Sequence, residues 1–156
     1  MDTSNEETRK LLRAIDANAN RVSEGLRVVE EVVRFILDDS DLTEKLKGMR
    51  HFVREKVLDL SGSLSNLVAA RESDGDVGRR FSTSDSSQRE DAAGIVAANA
   101  KRAQEGIRVL EELSVSFDPE SSNKFKELRF ELYSLEKEII GRLGKGTSWN
   151  ESEHRR

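Results

Sequence analysis

The sequence predicts an all-α protein, an up-and-down bundle of four main helices built from a duplicated helical hairpin with pseudo-twofold symmetry. Three observations carry this expectation. Apolar residues recur at three- and four-residue spacing over most of the chain, which is the period of an amphipathic helix. Composition agrees: of 156 residues, 36% are charged and only one is proline, the make-up of a helical bundle. The third observation is a repeat. Residues 17–32 align with residues 98–113 at a constant offset of 81, and ten of these sixteen pairs are identical. Similarity resumes where Leu46-Lys47-Gly48-Met49-Arg50 meets Phe125-Lys126-Glu127-Leu128-Arg129, now at an offset of 79, so the second turn is two residues shorter. A unit repeated in this way buries its apolar face against its neighbour.

In chain order, Leu11, Ile15, Val22, Val29, Val32 and Ile36 mark the first helix, with Ser4 and Glu7 as a capping box at its start. The polar run Asp38-Asp39-Ser40-Asp41 ends it. A second helix carries Leu42, Leu46, Met49, Val53, Val57 and Leu60; its pattern weakens at Ser61-Gly62-Ser63 and continues through Leu64, Leu67 and Val68 to about Arg71. Residues 72–87 have the Gly, Ser and Asp content of a linker. The third helix is expected over about 88–115. Asp118-Pro119 supplies a cap and a first-turn proline for the fourth, which shows Phe125, Leu128, Leu132, Leu135, Ile139 and Leu143 in helical phase and stops at Gly144. This gives a single domain, with repeat 1 over about 8–71, repeat 2 over about 88–143 and a disordered tail over 144–156.

Charge and composition exclude several functions. Lys plus Arg number 26 against 30 Asp plus Glu, a net charge of −4, so no basic field exists to attract nucleic acid. Aromatic residues are 5%, too few for base-stacking platforms. The absence of cysteine removes disulfides, zinc–thiolate sites and a thiol nucleophile. The acidic amino terminus is not a signal peptide, and no apolar stretch approaches a membrane span, so a cytoplasmic location is expected. His51 and His154 lack metal-ligand spacing. Gly141 to Thr147 imitates a P-loop only superficially, because no Ser or Thr follows Lys145 and no strand precedes the segment.

The repeat places unusual residues in an apolar stripe. Asn18 and Gly25, and likewise Asn99 and Gly106, fall within it, while Arg21, Glu24 and Glu31, and likewise Arg102, Glu105 and Glu112, form a polar edge. A buried amide costs free energy unless it is hydrogen-bonded, and a mid-helix glycine costs about 1 kcal/mol relative to alanine. Two readings follow. The glycines let helices cross closely while the asparagines fix register, or the glycines make room for a ligand in a polar pocket lined by Asn, Arg and Glu. Arg50 and Arg129 hold matching places on the second and fourth helices, suited to pairing with a neighbouring glutamate or to binding phosphate bidentately. The linker segment Arg71 to Arg80 has no counterpart in the second half. Its Asp74-Gly75-Asp76 with Gly78 reads as a plain turn, or as a loop offering carboxylates and backbone N–H groups to Mg²⁺ and phosphate.

Together, Asn18-x-x-Arg21-x-x-Glu24-Gly25-x-Arg27-Val28-x-Glu30-Glu31, its copy from Asn99 to Glu112, and Ala70-Arg71-x-x-x-Gly75-Asp76-Val77-Gly78 resemble the small, alternative hydroxymethylpyrimidine phosphate kinase family of thiamine biosynthesis. That family occurs alone or fused to thiamine phosphate synthase. The resemblance spans roughly residues 8–143. It implies ATP-dependent phosphorylation of hydroxymethylpyrimidine phosphate, with ATP and Mg²⁺ as cofactors and a small-molecule substrate. Arg21, Glu24, Arg102, Glu105 and Asp76 are then the candidate catalytic residues. Asn18, Gly25, Arg50, Arg71, Asn99, Gly106, Arg129, Gly75 and Gly78 are candidates for substrate or nucleotide binding, and Glu31, Glu112 and Asp74 for the metal. The alternative is a non-catalytic helical module that docks on thiamine phosphate synthase; a homo-oligomer is left open. Under the first reading the unmatched linker closes over one of two similar pockets.

Overall fold

The computed structural model describes residues 3–80 and 91–146. Five α-helices account for most of them: α1 (Thr3–Phe35), α2 (Ser40–Ser61), α3 (Leu64–Ala70), α4 (Ala92–Ser114) and α5 (Pro119–Gly146), with a single 3₁₀ turn at Val77–Arg80. The all-helical class and the close-packed bundle are as the sequence predicts.

The helix ends follow from local chemistry. After α1, Asp38 adopts a left-handed conformation (φ 50°), and Asp39 then caps α2 by accepting from the Leu42 N–H at 2.8 Å. Asp118 caps α5, accepting from the Glu120 and Ser121 N–H groups at 3.1 Å each, with Pro119 as the first helical residue. Asp91 caps α4 through the Gly94 N–H at 2.7 Å.

Three boundaries differ from expectation. The second predicted helix is two helices, because Gly62 takes φ 75° and ends α2 while Ser63 caps α3 by accepting from the Asn66 N–H. Ser4 lies inside the first turn of α1 rather than at its cap. Gly144 does not stop α5, which runs on to Gly146. The predicted start of the third helix at 88 and most of the predicted disordered tail, from 147 onward, lie outside the described residues.

α1 and α4 form the central pair; α2 packs on α1 and α5 on α4, while α2 and α5 touch lightly. The core is one continuous apolar cluster, with Val22, Leu26, Val29 and Val33 of α1 facing Val96, Ala103, Ile107 and Leu110 of α4. Gly25 lies against Asn99 and Ala103, and Gly106 against Asn18 and Val22. The two helices therefore cross antiparallel, and the repeats are related by a pseudo-twofold axis through that crossing.

Candidate functional site

At the crossing, a Cβ on Gly25 would lie 2.7 Å from the Asn99 carbonyl oxygen, and one on Gly106 would lie 2.7 Å from Val22 Cγ2 and 3.2 Å from the Asn18 carbonyl oxygen. The glycines thus make room for the opposing helix and not for a ligand. Both asparagines are satisfied locally: the Asn18 amide donates to the Ala14 carbonyl and the Asn99 amide to the Ile95 carbonyl, each at 2.9 Å. Asn18 also accepts from Arg21 at 3.2 Å. The remaining candidates of this motif, Arg21, Glu24, Arg102 and Glu105, are exposed along the edge of the crossing, where Arg102 pairs with Glu24 at 3.1 Å. That pair joins the two repeats in solvent and encloses no cavity.

Arg50 and Arg129 take the neighbouring-glutamate option. Glu30, 4% exposed, accepts from Arg50 Nε at 2.9 Å, and Glu111, 7% exposed, accepts from Arg129 Nε at 2.9 Å. Arg27 and Arg108 cover the same carboxylates from one turn earlier and reach Glu31 at 2.9 Å and Glu112 at 2.6 Å. Bonding to Glu111 raises the Arg129 pKa, so that guanidinium is permanently charged. Each hairpin is therefore tied internally by an Arg–Glu–Arg cluster. Glu31 and Glu112 are held by these arginines, and among the described residues no three His, Asp or Glu side chains gather as a metal site. Glu31, Glu112 and Asp74 do not assemble into a magnesium site.

The symmetry breaks at α3. This short helix and the chain after it lie across α1, fastened by Arg71, whose Nε and Nη2 donate to both oxygens of Asp16 at 2.6 and 3.0 Å. Arg13 adds a bond to the Glu72 carbonyl at 2.8 Å. Beneath α3 lies a groove of about 280 Å³. Asp16, Asn20 and Ser23 of α1 form one wall, Arg50, His51 and Arg54 of α2 the other, and Leu64, Leu67 and Arg71 the roof. The hydrogen bonds to Asp16, and then its negative charge, raise the Arg71 pKa, so the guanidinium stays charged.

The second repeat has an equivalent groove between α4 and α5, lined by Ala97, Lys101, Gln104, Arg129, Tyr133 and Glu136. By the offsets of 81 and 79, Ala97 stands for Asp16, Lys101 for Asn20, Gln104 for Ser23, Tyr133 for Arg54 and Glu136 for Val57. Gln104 donates to Glu136 across this groove, Arg129 lies 6.0 Å from the Tyr133 ring, and among the described residues no counterpart of α3 roofs it. Of these two grooves, among the described residues, the first alone combines three arginines with a buried carboxylate and a cover.

Of the residues expected from sequence, the structure brings Arg50 and Arg71 together in this groove. Asp74, Gly75, Asp76 and Gly78 are exposed in the following turn, where Asp76 accepts from the Gly78 N–H at 2.9 Å, and none of them lines the groove. The sequence reading missed Asp16, Asn20, Ser23, His51 and Arg54. Their signal lies where the repeats differ, because identity between copies marks the shared scaffold.

Comparison with known proteins agrees with a chain of this kind. The model of the ThiD2 family matches residues 13–138. A thiamine-phosphate synthase of Rhodopirellula baltica is 38% identical over 141 residues, covering 87% of this chain and 36% of the relative. One from Synechocystis sp. is 37% identical over 131 residues, covering 84% and 36%. One from Nostoc punctiforme is 33% identical over 129 residues, covering 83% and 35%. The chain thus spans little more than a third of the length of these relatives. No solved structure matches. The relatives bear the name of a synthase, and this overturns the expectation that the chain phosphorylates hydroxymethylpyrimidine phosphate.

Proposed function

Because the chain belongs to the ThiD2 family, we propose that it serves thiamine phosphate synthesis as the helical, substrate-holding part of a synthase-type transferase, binding the phosphorylated pyrimidine half in the groove under α3. The observation that carries this reading is the convergence of Arg50, Arg54 and Arg71 on one small, roofed groove, opposite Asp16, Asn20 and Ser23. Arginine is the side chain suited to phosphate, and Arg54 is exposed on the groove wall. The polar groups of α1 suit a nitrogen heterocycle, and Leu64 and Leu67 of α3 offer its ring an apolar cover. At about 280 Å³ the groove has room for a one-ring phosphate ester and not for a dinucleotide.

The test is calorimetric titration of the chain with hydroxymethylpyrimidine phosphate. One ligand per chain is expected, with affinity falling at least about tenfold in Arg54→Ala, as loss of a charge-assisted phosphate contact would give. Arg102→Ala, which removes an exposed residue that does not line the groove, leaves binding unchanged. In parallel, thiamine phosphate is measured in mixtures of its phosphorylated pyrimidine and thiazole halves with and without the chain. No binding, or binding equally sensitive to both substitutions, rejects the reading.

A further inference from the structure

The geometry points to Asp16 as the specificity residue of this groove, with Arg71 as an internal stand-in for the ligand's donor edge. This rests on the reading of the groove given above. Asp16 is 6% exposed, while the Arg71 side chain is about half exposed. One partner is therefore fixed in the wall and the other is free to swing outward. Their contact is a fork, with two N–H groups of one planar cation on two carboxylate oxygens at 2.6 and 3.0 Å. A ligand anion that draws Arg71 to itself strands a buried carboxylate, which is costly unless new donors replace the old ones.

The ligand must therefore bring both parts. It is a phosphate ester that also carries a planar N–C–N edge with two N–H donors. A 4-aminopyrimidine protonated on the adjacent ring nitrogen, with the proton taken from solvent, offers that edge. Binding is then an exchange: the heterocycle takes the place of Arg71 on Asp16, and Arg71 turns to the phosphate, joining Arg54. The groove of the second repeat has Ala97 at the position of Asp16, and so lacks the acceptor for such an edge.

The experiment titrates wild type and Asp16→Asn with three probes: hydroxymethylpyrimidine phosphate, its analogue with hydrogen in place of the amino group, and inorganic phosphate. Wild type is expected to prefer the amino compound by about tenfold or more, the discrimination a good bidentate pair provides. Asp16→Asn loses this preference and binds inorganic phosphate more tightly than wild type, because Arg71 is released without a stranded charge. Circular dichroism confirms that the variant is folded. If it is not, Arg71→Gln asks the same question, and there the amino preference persists while phosphate affinity falls. Binding with the amino preference intact in Asp16→Asn, or with phosphate affinity not raised, overturns the exchange and leaves the groove standing. No pyrimidine phosphate binding by either form overturns both.

Discussion

Replacing Gly25 by alanine separates the structural meaning of the repeated glycines from a ligand-binding one. In an open stretch of helix, glycine to alanine stabilises by about 0.8–1 kcal/mol. Gly48 and Gly141 are such places, since an added Cβ there meets nothing within 4 Å. At Gly25 the same Cβ falls 2.7 Å from the Asn99 carbonyl oxygen and 3.3 Å from the Ala103 nitrogen, both of them backbone of α4. No rotamer change relieves that contact, so α1 and α4 must part, and core contacts on either side of the crossing lengthen. Overpacking of this kind costs about 1–3 kcal/mol, and a gap of 0.5–1 Å forfeits roughly a quarter to a half of each dispersion contact. Because the crossing is the centre of the bundle, the upper part of that range applies. Net destabilisation of Gly25→Ala is then about 1–2 kcal/mol, opposite in sign to Gly48→Ala. Urea denaturation followed by helical circular dichroism measures both, with a lower midpoint for the first and a higher one for the second at unchanged slope. An increase for Gly25→Ala matching that of Gly48→Ala would refute the close crossing.

Other outcomes follow from single contacts. Glu30→Ala strands Arg50, whose side chain is 21% exposed, and is expected to cost about 3 kcal/mol, near the lower limit for a broken buried pair. Glu30→Leu with Arg50→Met recovers most of this, and a urea double-mutant cycle with coupling below about 0.5 kcal/mol would contradict the pair. The Asp39 carboxyl is held below its ordinary pKa chiefly by the Leu42 N–H and further by Arg142, and Asp118 chiefly by Ser121. Both are lowered in the folded state, so their stabilisation is present above the unfolded carboxylate value near pH 4 and is lost as pH falls through the folded values. Melting temperatures taken from pH 5 downward should decline less steeply in Asp39→Asn, which keeps a cap acceptor without the charge.

The scaffold was legible because it is made of local and periodic signals. Asp118-Pro119 caps α5 as the pattern of residues requires, and the offset of 81 foretold that Gly25 and Gly106 play one part twice. The break between α2 and α3 was blurred, since Leu64 and Leu67 stay in helical phase across Gly62 and only the backbone angle there separates the helices. The groove was harder to see. Arg71 meets Asp16 across 55 residues, and no periodicity within either segment foretells that contact. Arg50 and Arg129, suited by sequence either to a neighbouring glutamate or to phosphate, are matched by Glu30 and Glu111. A helical wheel shows the stripe on which a charge lies but not the partner that a neighbouring helix supplies.

If asymmetry makes the site, then restoring symmetry in side chains alone should not create a second one. Ala97→Asp with Tyr133→Arg gives the α4–α5 groove the counterparts of Asp16 and Arg54, beside Arg129 in the place of Arg50. What it still lacks is a counterpart of α3 and of the Arg71 fork, because among the described residues no short helix bridges α4 and α5 as α3 bridges α1 and α2. The new carboxylate then has no roof to desolvate it, and an exposed ion pair is worth only about 0–1 kcal/mol. Titration of this double variant with hydroxymethylpyrimidine phosphate is expected to give one site per chain at wild-type affinity, with any second event weaker by at least about a hundredfold. Conversely, cutting the fastening of α3 by Arg13→Ala, which removes its bond to the Glu72 carbonyl, should weaken the single site without touching a groove-lining residue. Two sites of similar affinity in the double variant would show that side-chain identity suffices, and that the cover formed by α3 and Arg71 contributes nothing to recognition.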